Sequence, residues 1–513
     1  DYYSQDVKPL TTLGLDKNDA LCLAKLAETQ AVIEYIDCQE FDTTMLPIGF
    51  SIDHTSLQRF THMELHPSMF LSFNAHLLPF CEHNLAPRTI FTSKYVKQGI
   101  STYALNFNSR IDTSAHILNY PQRPMVQSRL QKFITQDIFG QGNNVYIAVG
   151  RYNYNQDDAL VGNQSAIDMG LFHTTYYKSY KDMEITESKT GEETRFFNPL
   201  YKHEMPHYPD IINKKSRLNY NKLDKWGLPR QGEFIEEDDV VICKYIKTKD
   251  ETGADVEREI STTTKKDNEG SFIDRVYTWQ TNAAGDRAVK IRTCQNRPPV
   301  MGDKFASRCA QKGTFGITLK REDFPYTEDG ITPDIIFDPA SIPTRMTVSQ
   351  FIEILFGNMA AELGLFGTFN PFEIVDPEQI NHVLEDILGF TSYGDRILYN
   401  GYTGEQIEVK MFTGCIYYQR LKYMVDDKIN TRYSGKRENG VPVPGGLYTV
   451  KERQSVAGRA NDGGLRIGEM ERDALIAHGV WSFIKESFIE RCDKFIIQVS
   501  VKSGDISIAN PEI

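Results

Sequence analysis

The side chains best suited to chemistry in this 513-residue chain are two lysines eight residues apart. They lie in Gly302-Asp303-Lys304-Phe-Ala-Ser-Arg308-Cys309-Ala310-Gln311-Lys312-Gly313. Between Arg287 and Arg321, nine lysines and arginines, Arg297 and Arg308 among them, stand against a single acid, Asp303. The chain as a whole carries a net charge of -12, so a local positive excess of this kind calls for an anionic partner. Glycines near both lysines let a backbone approach closely. A polyphosphate or a nucleic-acid backbone meets these conditions; the plain alternative is a solvated basic loop.

Other residues point the same way. Asp157-Asp158 follow Tyr152-Asn-Tyr154-Asn155-Gln156. Adjacent carboxylates repel unless solvated, hydrogen-bonded or neutralised, and oxygen ligands of this type suit Mg²⁺ together with phosphate and water. An Asx-rich turn is the other reading. Arg345, just before a helix start, and Arg88, in the rigid Ala86-Pro87-Arg88-Thr89 turn, each offer a guanidinium fork to phosphate, or are ordinary surface arginines. A second basic segment, Arg420 to Arg437, has six lysines or arginines against Asp426 and Asp427. Tyr417, Tyr418, Tyr423 and Tyr433 are interleaved, and Lys451, Arg453, Arg459 and Arg466 follow. Three basic stretches on an apolar scaffold read as a long polyanion track.

Some chemistries are poorly served. The eight cysteines form no C-x-x-C pair, so no zinc-knuckle or thioredoxin-like spacing exists, and they read as reduced thiols. His62 and His66 have i, i+4 spacing, but Glu64 and Pro67 spoil a metal-binding helix. There is no Walker-type loop, and no Ser-His-Asp or Cys-His set stands out. No run reaches the ~18 apolar residues that span a bilayer.

These groups need a large scaffold. The length predicts roughly two to four domains, and 40% hydrophobic with 25% charged residues is ordinary for a folded protein. Periodicity predicts a helix over Lys17–Gln30 and a strand over Ala31–Asp37. Residues 61–171 read as an apolar core layer with loops, and 172–294 as an inserted, mainly β region with hairpin tips at 246–257 and 262–270. Thr347 with Gln350 forms a capping-box pattern before the apolar face of Phe351, Ile354, Leu355 and Met359. Asp376-Pro377 opens another helix that stops before Gly389, and a third, amphipathic, is expected over Glu469–Cys492. Residues 457–464 read as a mobile loop.

Several segments together resemble the second-largest subunit of multisubunit DNA-directed RNA polymerase, of the eukaryotic, archaeal and large-DNA-virus type. They are Thr61-His-Met-Glu-Leu-His66-Pro67; His83-Asn-Leu-Ala-Pro-Arg88 with Lys97-Gln98; Tyr154-Asn-Gln-Asp157-Asp158; and Gly302 to Gly313. Pro343-Thr-Arg345-Met-Thr347, Tyr417-Tyr-Gln-Arg420, Met424-Val-Asp-Asp-Lys428 and Gly458-Arg459 onward to Arg466 and Arg472-Asp473 complete the set. They occur in the family's order over nearly the whole chain. The resemblance implies an α+β, multidomain fold: a hybrid-binding domain of mixed β-sheet or barrel and helices, with an inserted, mainly β wall (flap). It further implies the end of an external domain at 1–60, the hybrid-binding domain at 61–171 and 295–470, the wall at 172–294, an anchor at 471–495 and the start of the clamp at 496–513.

The resemblance also implies roles. Lys304 and Lys312 would contact the transcript's 3′-end phosphates and the nucleotide, and Arg88 and Arg345 the incoming triphosphate. Asp158, with Asp157, would lie near the second, nucleotide-borne Mg²⁺, through water or directly; the largest subunit would hold the main ion. Lys97, Gln98, Arg297, Arg308, Arg459 and Arg466 would contact nucleic acid. The implied partners are the largest subunit, the N-terminal half of the second-largest subunit, small assembly subunits, DNA template, RNA and nucleoside triphosphates. Neither a membrane nor a zinc site within this chain is implied. The implied activity is nucleotidyl transfer inside the cell, exerted only in a complex; a degenerate, non-catalytic scaffold or nucleic-acid-binding paralogue is the competing reading. Asp157 stands where the family usually has Glu, and Cys309-Ala310 where it has His-Gly. The family's C-terminal cysteine-rich zinc module and its N-terminal half have no counterpart here, so a fragment or split-gene product is expected. The divergent insertions point to a viral or plasmid-borne enzyme over a host nuclear one.

Overall fold

The computed structural model describes residues 35–46, 60–135, 139–187, 192–204, 218–236, 239–249, 255–264, 268–281, 285–372, 376–432, 437–438, 441–442, 449, 454–461, 463–490 and 496–509. The expected helix over Lys17–Gln30, most of the expected strand 31–37, and Tyr433, Lys451, Arg453 and Asp462 lie outside them. The chain forms two compact units, residues 1–70 and 71–513. In the first, the helix Cys38–Thr43 starts where the Asp37 carboxylate accepts from the Glu40 N–H at 2.7 Å.

In the second unit the principal strands are β1 (Ser114–Leu118), β2 (Asn143–Val149), β3 (Ala159–Asn163), β4 (Thr174–Met183), β5 (Ser271–Gln280), β6 (Arg287–Arg297), β7 (Lys304–Ser307), β8 (Lys312–Leu319), β9 (Ile335–Phe337) and β10 (Met411–Arg420). The principal helices are α1 (Ala86–Val96), α2 (Val348–Leu363), α3 (Pro377–His382) and α4 (Glu469–His478).

Six strands close on themselves in the order β7-β8-β3-β9-β2-β10, with β10 returning to pair with β7. β8 runs parallel to β3 and β9 parallel to β2; the other pairs are antiparallel. Alternation along β2 explains the two layers beneath and around this barrel. Val145, Ile147 and Val149 enter one apolar cluster with Phe305, Phe315 and Ile416, while Ala148 faces a second with Val161 and Ile336. Closure leaves none of the six an unpaired edge. The α+β architecture with a mixed barrel agrees with expectation.

Strands β4, β5 and β6, between β3 and β7 in sequence, join the earlier β1 in an antiparallel sheet, β1-β4-β6-β5, extended by Phe234–Ile235. It has its own core, including Tyr180, Phe196, Ile273 and Ile291. Its buried charges are matched: Glu184, 3% exposed, accepts from Arg287 at 2.6 Å and lies 3.6 Å from Arg195. Burial alone would raise the Glu184 carboxyl, but the Arg287 and backbone donors outweigh it and hold the group below its usual range.

Two helix expectations are refined. α2 forms as its apolar spacing requires, yet the capping box is not made, because both of its side chains are engaged elsewhere. The Thr347 hydroxyl accepts from Gln311 at 2.7 Å, and Gln350 faces Ser307 at 3.4 Å. The α2 N-terminus is capped instead from a distant segment, the Ser349 N–H donating to the Asn84 side-chain oxygen at 3.1 Å. The single helix expected over Glu469–Cys492 is broken: Gly479, at φ +80°, ends α4, and a shorter helical stretch resumes at Trp481. No residue of α4 is buried, so its apolar face is not core within this chain. α3 begins as expected, with Asp376 accepting from the Glu378 N–H at 3.0 Å.

Candidate functional site

The hairpin β7–β8 carries the lysines. Lys304 pairs with Thr314 and Ala306 with Lys312, so both lysines lie diagonally on one face of the hairpin. Phe305 points the other way, stacked on Phe315 with ring centroids 4.2 Å apart inside the barrel. The lone acid of the basic stretch, Asp303, anchors the turn beneath them. It is 1% exposed, accepts from the Arg420 guanidinium at 2.6 Å and from the Val425 N–H at 3.0 Å. Arg420, equally buried, also donates to the carbonyls of Phe172 and Arg297 and to Thr174. Asp303 thus fixes Lys304 through the fold and does not neutralise it.

Among the described residues neither lysine has a carboxylate partner. What they meet is aromatic: the Lys312 ammonium is 4.8 Å from the ring centre of Tyr423 and 5.4 Å from that of Tyr95, and Lys304 is 5.9 Å from Tyr423. Burial, then repulsion from Lys304, lowers the Lys312 pKa.

The acidic turn lies flat against β8 because two glycines make room. A Cβ on Gly313 would sit 2.5 Å from the Asp158 carbonyl, and one on Gly316 only 2.3 Å from that of Tyr154. Tyr154, Asp157 and Asp158 all have positive φ (68°, 52° and 67°), an uncommon conformation for side chains of this kind. Ala310 (62°) and Met346 (48°) border the same site. Non-glycine residues in this region concentrate at functional sites.

Asp158 forms an ion pair with Arg345, whose other nitrogen donates to Gln311 Oε1 at 2.6 Å. Gln311 in turn donates to Thr347, which ties the guanidinium to the start of α2. Arg88, in the first turn of α1, reaches the Ala310 carbonyl at 3.5 Å and lies 5.5 Å from the Phe91 ring centre. Its pKa is lowered by burial and then by Arg345, with Asp158 acting in the opposite sense. Arg345 is paired with Asp158, while Arg88 meets no carboxylate within ion-pair distance among the described residues, an arrangement that favours a further anion. Asp157 is exposed, with no side-chain partner among the described residues.

The chain past α1 closes the other side. Lys97 is exposed, and the Gln98 carbonyl accepts from the Lys422 N–H at 3.0 Å, placing α1's end beside Tyr423. Arg459 donates to the Asp426 carbonyl at 2.6 Å; Arg466 is exposed and makes no side-chain contact with this group. Two expectations change. Arg308 is 3% exposed and donates to Glu353 at 2.6 Å; Arg297 is 4% exposed and donates to Asp427 at 2.9 Å and covers the Tyr176 ring. Their guanidiniums face inward and support the site as scaffold, because burying them required carboxylate partners. Sequence reading passed over Gln311, Asn84 and Glu353, which carry no signal beyond lying in or near the matched segments.

This geometry is a mixed-strand barrel presenting an unneutralised cationic face beside an acid–arginine cluster. Comparison with known proteins identifies its class. Residues 74–441 match the model described as RNA polymerase Rpb2, domain 6, and residues 463–512 that of RNA polymerase Rpb2, domain 7. The chain belongs to this second-largest RNA polymerase subunit family and corresponds to its C-terminal half. It is 37% identical over 498 residues to the DNA-directed RNA polymerase II subunit RPB2 of Encephalitozoon cuniculi, covering 94% of this chain and 42% of the relative. DNA-directed RNA polymerase subunit 2 of Acanthamoeba polyphaga mimivirus is 37% identical over 520 residues (95% and 42%), and Rpo2 of Saccharolobus solfataricus 32% over 487 (93% and 41%). The chain spans about two-fifths of the length of the curated relatives it matches.

Proposed function

We propose that the chain supplies the nucleotide- and transcript-binding side of a DNA-directed RNA polymerase active centre, completed by the largest subunit and working only in that assembly. The observation that carries this reading is the hairpin face on which Lys304 and Lys312 stand without carboxylates, on strands flanked by Arg345, paired with Asp158, and by Arg88 on α1. Lys304 and Lys312 hold the phosphates at the transcript's 3′ end and on the nucleotide, restraining the reacting groups and offsetting developing negative charge. Arg88 and Arg345 grip the triphosphate. Gln311 and Thr347 keep Arg345 oriented. Lys97, Gln98, Arg459 and Arg466 continue the track along the RNA–DNA hybrid.

The acidic residues fit a partial metal site. Among the described residues no group of three or more His, Cys, Asp or Glu is assembled, and Asp158 is already paired with Arg345. Two carboxylates on a turn suit Mg²⁺ arriving with its own phosphate oxygens and water. When bound, Mg²⁺ supplies charge neutralisation at the phosphates. Asp158 and Asp157 would be the groups of this chain nearest to it, and Arg345 limits how far Asp158 can swing.

In the same reading, residues 172–294 are the wall, 61–171 and 295–470 the hybrid-binding domain, 471–495 the anchor and 496–513 the start of the clamp; 1–60 end an external domain. Other subunits, template DNA, RNA and nucleoside triphosphates are its partners, inside the cell, in a viral factory or the nucleus. The test is extension of a primed RNA–DNA scaffold by the assembled complex. Lys304→Ala or Lys312→Ala should slow single-nucleotide addition about tenfold or more, from loss of charge-assisted contacts of ~1.5–3 kcal/mol. Unchanged addition kinetics would exclude the assigned role.

A further inference from the structure

Four ammonium groups surround one ring. The Nζ atoms of Lys312, Lys422, Lys428 and Lys304 lie 4.8, 5.7, 5.7 and 5.9 Å from the centre of Tyr423. None of the four has a carboxylate partner among the described residues. Of the nearby acids, Asp427 is paired with Arg297 and Asp303 with Arg420, and Asp426 forms no ion pair with any of the four lysines. Lysine side chains with no counter-ion repel one another and, being long and flexible, spread into solvent unless something holds them. An aromatic face within about 6 Å attracts a cation through its quadrupole without cancelling the charge.

Tyr423 is well placed for that task. Its carbonyl accepts from the Lys304 N–H at 3.4 Å, and the two residues before it are held by the backbone: Leu421 N–H to the Lys304 carbonyl at 2.9 Å, Lys422 N–H to that of Gln98 at 3.0 Å. Ring and lysines therefore keep a fixed relation even though the lysines come from three segments. The Tyr423 hydroxyl makes no hydrogen bond among the described residues, so the π face is the part of the side chain in use.

We infer that Tyr423 is a positioning residue whose ring gathers Lys304, Lys312, Lys422 and Lys428 into one cationic cluster, preorganised for consecutive phosphates of a single nucleic-acid strand. Tyr95, on the far side of Lys312, restrains that ammonium from α1. The inference rests on the function proposed above and adds the element that keeps the lysines together before the strand arrives. Preorganisation raises affinity by removing the cost of assembling the cations at binding.

The experiment uses the assembled complex bearing Tyr423→Phe, which keeps the ring, or Tyr423→Leu, which keeps apolar bulk without a π face. Scaffold dissociation constants are measured across a salt series. Tyr423→Phe should keep the wild-type salt slope. Tyr423→Leu should weaken binding about fivefold at low salt and flatten the slope of log affinity against log salt by about one unit, although no charge was removed. Lys304→Ala should cost less in the Leu background than in wild type, since the two residues act as a unit. A Leu variant that matches Phe, or a Phe variant that fails like Leu, overturns the inference. A wild-type complex that binds the scaffold yet never extends it overturns the proposed function and leaves the ring comparison readable.

Discussion

The β1-β4-β6-β5 sheet and the β7–β8 face of the barrel treat their cations in opposite ways. At the sheet, Arg287 and, from a neighbouring sheet, Arg195 converge on Glu184; Arg195 also meets Asp286, and Lys244 of that neighbouring sheet meets Asp182 of β4 at 2.5 Å. On the barrel face, Lys304 and Lys312 meet only rings among the described residues, and of Arg88 and Arg345 only Arg345 is paired with Asp158. Both regions are rich in basic residues, so content does not separate them; neutralisation does. Where a cation such as Arg287 has its acid, the charge maintains the fold. Where acids are withheld, the fold keeps a positive potential for something outside the chain.

That contrast can be broken most severely beneath the lysines. Asp303→Ala strands the buried Arg420 and should remove about 3–5 kcal/mol of stability, read in denaturant melts. Next in size, Lys312→Ala should slow nucleotide addition about tenfold or more in the assembled enzyme while leaving the thermal midpoint nearly unchanged. Arg287→Ala in the sheet should do the reverse, costing about 1–3 kcal/mol of stability with scaffold extension retained. A smaller effect sharpens the site's edge: Ala310 holds φ +62°, a left-handed conformation that favours glycine, so Ala310→Gly should stabilise by about 1 kcal/mol in thermal unfolding. The smallest is a pH slope. Burial, aided by Arg297, lowers the His116 pKa from 6.5 to about 4, against a weaker opposing pull from Asp427. The unfolded chain thus binds a proton that the folded one refuses between those values, and stability should rise with pH from about 4 to 6.5. His116→Gln should flatten that rise.

Much of this was readable beforehand. Lys304, Lys312, Arg88, Arg345 and Asp158 could be chosen from charge, turn chemistry and matched segments; the fold pairs Asp158 with Arg345 and brings both lysines to Tyr423. The excess around Arg297 and Arg308 misled, because charge counts do not reveal which cations turn inward to Asp427 and Glu353. Only tertiary pairing decides that. The capping box at Thr347 failed for a related reason: a local pattern lost to partners from far along the chain, Gln311 and Asn84. Gly479 ends α4 although the apolar stripe of Glu469–Cys492 runs on past it, so periodicity alone predicts one helix where there are two. Tyr423 was noted merely as one of several interleaved tyrosines, since the meeting of Lys304, Lys312, Lys422 and Lys428 around it depends on β10 docking against β7.

That docking has a consequence for biosynthesis. The ring's first strand starts at residue 143 and its last at 411, and β10 must pair with both β2 and β7 to complete it. During synthesis the earlier strands leave the ribosome with two open edges and wait for the last to emerge. Closure by such distant segments is intrinsically slow, and unpaired edges are where nascent chains associate wrongly. A chain stalled before residue 411 has the β7–β8 hairpin with Lys304 and Lys312, but neither the strand that closes the ring nor Tyr423, Lys422 and Lys428 beside them.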